Sequence, residues 1–461
     1  MVMGSIPEQV DLAIVGGGVG GYVAAIRAAE LGLSVALVEK DRLGGHCLNY
    51  ACIPSKTLIK ISDILYEAQH SQKFGITGNV LLDPKKMLEW RISVSKRLED
   101  GVAFLCKSNQ IDVFKGTATF LSNRILQLTD GISLEYKKAV IATGSEPIEL
   151  KGFEFNGNVI DYKQALLLDY IPKTMVILGA GYVAVEMGTM YAKLGSKVTI
   201  VARSDVLSKF DRDAVELVKK RMQDLGIVIR TGVTPVSHDE KGVTLSDGSW
   251  LDASVIVVAI GLQPYTNELG LQNTKVQVDE KGFIKIDSSS LRTDEPNIFA
   301  IGDVVGEPML AHKAMRQGVI AAEIAAKQSS SYDNVVVPAV IFSDPEIAIA
   351  GTVQEGGEIA VTKFPLTALG RSIALDTTNG FVKIAYDKSN TVKGVEIVSP
   401  EASSMISEAA LAIEMCANLE DIANTIHPHP TYSEAVQEAA EAALGRPIHF
   451  FYGKKTAQVK T

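Results

Sequence analysis

Residues 10–15, VDLAIV, form an apolar run of strand length that leads into GGGVGG, with Gly16, Gly18 and Gly21 in G-x-G-x-x-G spacing. YVAAIRAAELG follows with helical composition and a terminal Gly32, and SVALVEK is the next strand, ending at Glu39. Strand, tight turn, helix and strand in this order are the context in which such glycines bind a dinucleotide. Gly16 permits the turn, Gly18 lets the backbone approach a pyrophosphate, and Gly21 lets helix and strand pack closely. The helix N-terminus offers free N–H groups to the phosphates, and Glu39 is placed to accept hydrogen bonds from a ribose diol. The pattern returns 163 residues later, where TMVILG, then Gly179, Gly181 and Ala184, a helix YVAVEMGTMYAKLG and a strand SKVTIVAR repeat it. The counterpart of Glu39 is Ala202, followed by Arg203. An arginine there can pair with an adenosine 2′-phosphate that a carboxylate would repel, so the second site leans towards NADP. Two dinucleotide sites in one chain point to two cofactors exchanging electrons.

Two later strands favour a flavin in the first site. KKAVIATGSEP runs into Thr143, Gly144 and Ser145, and PNIFAIGDVVG ends at Gly302 and Asp303. The Asp303 carboxylate could bind a polyol such as a ribityl chain; an ordinary Gly-Asp turn is the plainer reading. After a polar linker at 329–334 the chain changes character, with alternating strand-like runs and Ala-rich helices at 401–417 and 433–444. This third reads as an α+β domain with a packing or interface role, trailed by the tail HFFYGKKTAQVKT. With 461 residues, 46% of them hydrophobic, two to four domains are expected. A net charge of −9 argues against a nucleic-acid surface. No apolar run reaches bilayer length, and MVMGSIPEQV carries no export or organelle signal. A soluble, cytoplasmic protein is expected.

GGHCLNYACIPSK places Cys47 and Cys52 five positions apart. Zinc usually takes four ligands, and Cys106 and Cys416 are isolated, best read as buried small hydrophobes; no metal site is expected. A static clip is disfavoured by cytosolic redox poise and would add little across so short a loop. A redox-active pair is favoured, given the dinucleotide motif upstream. CIPSKTLIKISDIL reads as a helix whose early turns follow Cys52, and a helix N-terminus with a nearby cation favours a thiolate. Lys56 could be that cation, held by Glu186 of the second repeat, or a solvated lysine. A thiol–disulfide cycle also needs an acid–base group. TIHPHPTYSEAVQEAA supplies His427, His429 and Glu434, and an imidazole held by a carboxylate can take and return a proton near pH 7. Two histidines between prolines suggest a rigid, exposed turn. His46, beside Cys47, could bias thiol ionisation or be an incidental surface histidine.

Taken in order, GxGxxG, GG-x-C-x4-C-IPSK, ATG, GxGxxA with a helical glutamate, IGD, AHKA and H-x-HPT-x-SE resemble the pyridine nucleotide–disulfide oxidoreductases along nearly the whole chain. The resemblance implies FAD at the first fingerprint and NAD(H) at the second. It implies that Cys52 contacts the flavin and Cys47 exchanges with substrate, with Lys56 and Glu186 paired beside the flavin and Asp303 on its ribityl chain. FAD contacts are further expected at Gly16, Gly18, Gly21, Glu39, Gly45, Thr143, Gly144 and Ala311. NAD(P) contacts are expected at Gly179, Gly181, Ala184, Arg203 and Gly261. The dyad His429–Glu434 would act on the disulfide of the other subunit of a homodimer.

LAHKA, residues 310–314, resembles the dihydrolipoamide-oxidising branch and the mercuric reductases more than the glutathione reductases. A tail without vicinal cysteines and the presence of the His–Glu dyad make mercuric ion a poor substrate. The departures are His46 and Ala51 where the family usually has Thr and Gly, Leu262 where an arginine is common, and Ala202 in place of the NAD-selecting glutamate; NAD and NADP both stay open. The expected architecture is α/β: two Rossmann-like dinucleotide-binding domains and a C-terminal α+β dimerisation domain. Its expected parts are an FAD-binding domain at 1–145, an NAD(P)-binding domain at 146–265, a central domain at 266–334 completing the FAD site, and the interface domain at 335–461. The expected activity is oxidation of protein-bound dihydrolipoamide, with a lipoyl-bearing protein of a 2-oxo acid dehydrogenase or glycine cleavage complex as partner. The alternatives are an NADPH-dependent reductase of another small disulfide or a metal ion, and a flavin-bound structural subunit.

Overall fold

The computed structural model describes residues 8–451. Most of the leader stretch and most of the tail read above lie outside the described residues. The chain forms two compact units: one runs up to Gly179 and adds Lys193–Ser196 and Pro235–Asp333, the other comprises Ala180–Ala192, Lys197–Thr234 and the chain from Asn334 onward.

In the first unit, β1 (Glu8–Val15) pairs in parallel with β2 (Val35–Glu39) on one side and β6 (Ser133–Ile141) on the other. Leu12, Ala13, Ile14 and Val15 are buried together, the near-continuous apolar run expected of a parallel strand covered on both faces. β3 (Asp112–Lys115) extends the sheet beyond β2, and β4 (Ala118–Ser122) and β5 (Ile125–Leu128) add an antiparallel edge. The first residues of β6 pair with β5, and its last three take the parallel strand Ile298–Ala300. α1 (Val19–Glu30) follows the first glycine turn and packs on the helix Ala311–Ala325. The approach needs glycine, since a Cβ on Gly318 would lie 2.5 Å from the Gly20 carbonyl. α2 (Gly45–Asn49), α3 (Cys52–Gln69) and α4 (Pro84–Ser108) come before β3. Also in this unit, Thr174–Leu178 and Val159–Ile160 flank Val255–Val258 in parallel. The expected α/β class forms. No helix among the described residues is long and apolar enough to cross a membrane.

In the second unit, Lys197–Ala202 runs parallel to Val228–Thr231. A separate five-stranded antiparallel sheet follows, in the order Ala339–Ile341, Glu346–Gly351, Val392–Ser399, Phe381–Tyr386, Ala360–Pro365. Val395 and Ile397 point to the helices Ala402–Glu414 and Glu434–Ala443 and form a core with them. Glu396 therefore points to the other face, where it stands opposite Lys383, which in turn stands opposite Lys363.

That ladder is unevenly neutralised. Lys383 Nζ reaches Asp211 at 2.7 Å and Asp213 at 3.0 Å, and Lys363 reaches Asp213 at 2.9 Å. Glu396 is 0% exposed and neither carboxylate oxygen has a hydrogen-bond partner. Burial first, then the charge of Asp211, pushes its carboxyl up to about 8 from an ordinary 4.5. The folded chain thus keeps a proton that the unfolded chain releases, and stability falls as pH rises through that window. The gap corresponds to an upper bound of roughly 5 kcal/mol. Glu396→Gln should melt with the parent near pH 5 and above it at about pH 8.5. A variant melting below the parent at the higher pH would contradict this account.

Candidate active site

The first glycine turn is built as its spacing demands. Gly16 sits at φ +105°, and a Cβ there would stand 2.3 Å from the Ala142 carbonyl oxygen. A Cβ on Gly21 would stand 1.8 Å from the Gly16 carbonyl, so helix and turn close only on glycine. Gly18 faces open space, and it caps α1 with no side-chain hydrogen bond, leaving the helix N-terminus free for an anion. Glu39 accepts the Gly17 N–H at 2.6 Å and the Asp41 N–H at 2.7 Å, which fixes its carboxylate beside the turn, while burial pushes its carboxyl up.

The segment 44–56 lies against that turn. Gly44 (φ +89°) donates its N–H to the Gly17 carbonyl, and a Cβ on Gly45 would stand 2.7 Å from Gly18 Cα. Asn49 ties its side-chain amide to the Leu43 and Gly45 carbonyls, and its own carbonyl accepts from Arg91, a 2% exposed cation on α4. Between these anchors the half-buried thiols of Cys47 and Cys52 are in hydrogen-bond contact. That bond and burial push the Cys47 thiol up, so Cys47 keeps its proton; Lys56, one turn beyond Cys52, pulls the other way. Cys52 is the first residue of α3, and Ala51, the N-cap, offers no side-chain acceptor. A helix N-terminus without a side-chain cap is an environment that favours a thiolate at its first residue.

His46 is half-buried, with the Tyr162 hydroxyl 3.5 Å from Nδ1. Burial, with Lys163 and Lys40 nearby, pushes it down to about 4, so it is neutral at pH 7 and brings no positive charge to the cysteines. Of the sequence readings of His46, it does not bias the thiols through a positive charge, and it is half-buried rather than fully exposed.

Asp303 follows the strand Ile298–Ala300 and accepts the Ser145 hydroxyl at 2.7 Å, although 158 positions separate them. Burial pushes its carboxyl up, opposed by Ser145 and by the charge of Lys313. The Gly302 N–H is held by Gln317 at 2.8 Å, and Thr143 Oγ1 donates to the Tyr265 carbonyl at 2.6 Å. Gly144 takes φ +72°, and Ala311 opens its helix with no side-chain cap. Gln317 and Arg91 were not expected as site residues, and the bond of Ser145 to Asp303 was not expected either, because each acts through a partner distant in sequence. An uncapped helix end beside open space, together with a half-buried carboxylate, fits a dinucleotide carrying a polyol.

In the second fingerprint Gly179, at φ +131°, packs where a Cβ would stand 2.1 Å from the Ala259 carbonyl, and Gly261 takes φ +132°. In the other unit Gly181 faces open space ahead of the helix Tyr182–Lys193, Ala184 is fully buried, and Arg203 is exposed at the strand end. Glu186 is buried and accepts the Phe342 N–H at 2.9 Å.

The histidine turn also lies in this unit. His429 Nδ1 is 2.8 Å from Glu434 Oε1; a carboxylate only accepts, so Nδ1 carries the hydrogen and Nε2 is left basic. His429 is 77% exposed on its side chain, but His427 is only 4% exposed and bonds Glu408, so the expected exposed turn holds for one histidine and not the other. Cys416 departs as well: Cys106 is buried, whereas Cys416 is exposed at φ +52° just past a helix end. The helix stops there, turning the side chain away from the core.

Residues 10–318 match the pyridine nucleotide-disulphide oxidoreductases, and residues 337–440 match the dimerisation domain of that family. A dihydrolipoyl dehydrogenase of Geobacillus stearothermophilus is 44% identical over 467 residues, covering 97% of this chain and 99% of the relative. Dihydrolipoyl dehydrogenase 2 of Haloarcula marismortui is 41% identical over 471 residues, covering 97% and 100%. Among solved structures, LpdA of Mycobacterium tuberculosis superposes with a TM-score of 0.88 at 25% identity, covering 95% of this chain and 99% of that one. The HOCl-induced flavoprotein disulfide reductase RclA of Escherichia coli gives 0.85 at 26%, covering 94% and 99%. With its cysteine pair, its two glycine turns and these likenesses together, the chain belongs to the pyridine nucleotide-disulphide oxidoreductases, whose cofactors are FAD and NAD.

Proposed function

We propose that the chain oxidises a dihydrolipoyl dithiol, with NAD+ or NADP+ as the final acceptor. The observation that carries this reading is the contact of Cys47 with Cys52 at the N-terminus of α3. Full-length likeness to dihydrolipoyl dehydrogenases supports the choice of substrate.

In the proposed cycle the site begins with a Cys47–Cys52 disulfide. His429 Nε2 takes the proton of one substrate thiol, and the thiolate attacks Cys47 Sγ. The Cys47–Cys52 bond breaks and Cys52 leaves as a thiolate, held by the α3 N-terminus and Lys56. The second substrate sulfur then attacks the first, closing the substrate disulfide and expelling Cys47. Cys47 takes up that sulfur's proton, in keeping with its raised thiol, while His429 holds the other. Glu434 keeps the Nδ1 hydrogen in place throughout and steadies the imidazolium. FAD, when bound, supplies the two-electron relay that returns the cysteine pair to its disulfide at the expense of NAD(P)+. Gly16, Gly18, Gly21, Glu39, Gly45, Thr143, Gly144, Asp303 and Ala311 would hold it; Gly179, Gly181, Ala184, Arg203 and Gly261 would hold the nicotinamide dinucleotide, and Glu186 would partner Lys56.

We assign the segments as 1–145 for FAD, 146–265 for NAD(P), 266–334 for completing the FAD site and 335–461 for the interface. A cytoplasmic homodimer, with each His429–Glu434 pair serving the other copy's cysteines, and a lipoyl-bearing protein as substrate complete the reading. The dimerisation-domain match at 337–440 supports the homodimer. Exposed Arg203 favours a second reading, an NADPH-driven reductase of another small disulfide. An assay of dihydrolipoamide oxidation and of disulfide reduction, each with both nicotinamides, separates the two. Dihydrolipoamide oxidation should dominate; fast disulfide reduction by NADPH without dihydrolipoamide oxidation would reverse the assignment.

A further inference from the structure

Two histidines two residues apart, in one turn, carry opposite hydrogen-bond patterns. His429 has a carboxylate on Nδ1 alone, which leaves Nε2 free to take a proton. His427 has an acceptor at each ring nitrogen: the Thr425 carbonyl lies 2.9 Å from Nδ1 and Glu408 Oε1 lies 2.8 Å from Nε2. A neutral imidazole carries one N–H and could satisfy only one of them. With the side chain 4% exposed, both contacts are hydrogen bonds only in the imidazolium form. Glu408, from the helix Ala402–Glu414, and Glu434, at the head of the helix Glu434–Ala443, are the charged groups facing it, and both favour that form.

From His427 a continuous set of bonds leads to His429. The carbonyl of the adjoining Pro428 accepts the Thr431 hydroxyl at 2.7 Å. The Thr431 N–H donates to Glu434 Oε2 at 2.7 Å, and the other oxygen of Glu434 holds His429. The turn thus has one anchor on each side of His429, and only the His427 anchor reaches the helix Ala402–Glu414.

We infer that His427 is a positioning residue: clamped as a cation between the Thr425 carbonyl and the Glu408 carboxylate, it fixes the turn that presents His429 Nε2 to the substrate dithiol. This rests on the reading of His429 as the base. The Glu408 hydrogen bond raises the value at which His427 loses its proton above the ordinary 6.5, against the effect of burial. The clamp is therefore fully present below that ordinary value and is lost as pH rises through the raised one. Loss of the clamp should appear as an alkaline fall in dithiol oxidation that does not come from the cysteines.

The test uses the full flavin-loaded chain. Glu408→Gln keeps the shape and removes the charge; the pH at which dihydrolipoamide oxidation begins to fall should move lower, and kcat near neutrality should drop about 10-fold. His427→Gln has both its N–H donors on one nitrogen, cannot span the Thr425 carbonyl and Glu408 as the two ring nitrogens do, and should lose about 10–100-fold in kcat with the flavin spectrum unchanged. In the unsubstituted chain, nitrogen NMR of labelled histidine reads the state directly, and only seven histidines need assignment. His427 should show two protonated ring nitrogens at neutral pH. A singly protonated His427, or a Glu408→Gln pH profile that overlays the parent, overturns the inference. If His429→Gln leaves dithiol oxidation intact, the reading of His429 as base fails instead, and the positioning role falls with it even with His427 doubly protonated.

Discussion

Cys52→Ser is expected to abolish dihydrolipoamide oxidation, a loss on the order of 10^4-fold or more, while the protein stays yellow. A serine hydroxyl cannot form the disulfide that accepts two electrons from the substrate, so no slower version of the same route survives. The proposed flavin cradle would be intact, because the Gly16 turn, the α1 N-terminus and the Ser145–Asp303 pair do not involve this sulfur. The mirror substitution, Cys47→Ser, should be equally inactive yet should keep the thiolate-stabilising helix end at Cys52. Flavin absorbance and steady-state turnover, measured on the same samples, check both. Turnover within 10-fold of the parent in the Cys52 variant would remove the disulfide from the mechanism.

His429→Gln carries the second large effect, roughly 10^2–10^4-fold on dithiol oxidation, the range for loss of a positioned acid–base group. Gln retains a hydrogen-bond donor for Glu434 and cannot take the thiol proton. The chemical step should be rebuilt partly by raising pH, since a substrate thiolate formed in solution needs no base. Glu434→Gln should cost less, because the imidazole survives and loses only the partner that fixes its tautomer. Rates with free dihydrolipoamide from neutral to alkaline pH would show this; a His429 deficit that stays constant with pH would argue against proton abstraction.

Much of the first site was legible because its motifs have local causes. Gly16 and Gly21 are required by carbonyls that a Cβ would strike, and such a requirement marks the sequence where it acts. The same holds for Cys52 at the head of α3 and for His429 with Glu434 five positions on. What stayed hidden was pairing across the chain. Ser145 with Asp303, Gln317 with the Gly302 N–H, Arg91 with the Asn49 carbonyl and His427 with Glu408 join segments that share no period. Nothing in the neighbourhood of Arg91 says that it will be buried, since α4 is polar on average and its buried stripe is narrow. His427 was misjudged for a related reason: flanking prolines predict a stiff turn, but which side of a stiff turn meets a helix is a tertiary matter.

The strand order of the first sheet has a consequence for synthesis on the ribosome. β6 is complete at Ile141, but the strand that pairs with its last residues begins at Ile298, and the helix that packs on α1 begins at Ala311. At roughly 5–20 residues per second, the interval between the two strands is about 8–30 s. Throughout that time the glycine turn and the cysteine pair have emerged while Asp303 has not. A nascent chain in this window holds an open edge on β6 and an uncovered face on α1, so capture of a flavin at the proposed site must wait until Asp303 and the helix from Ala311 emerge, roughly two-thirds of the way along the 461-residue chain.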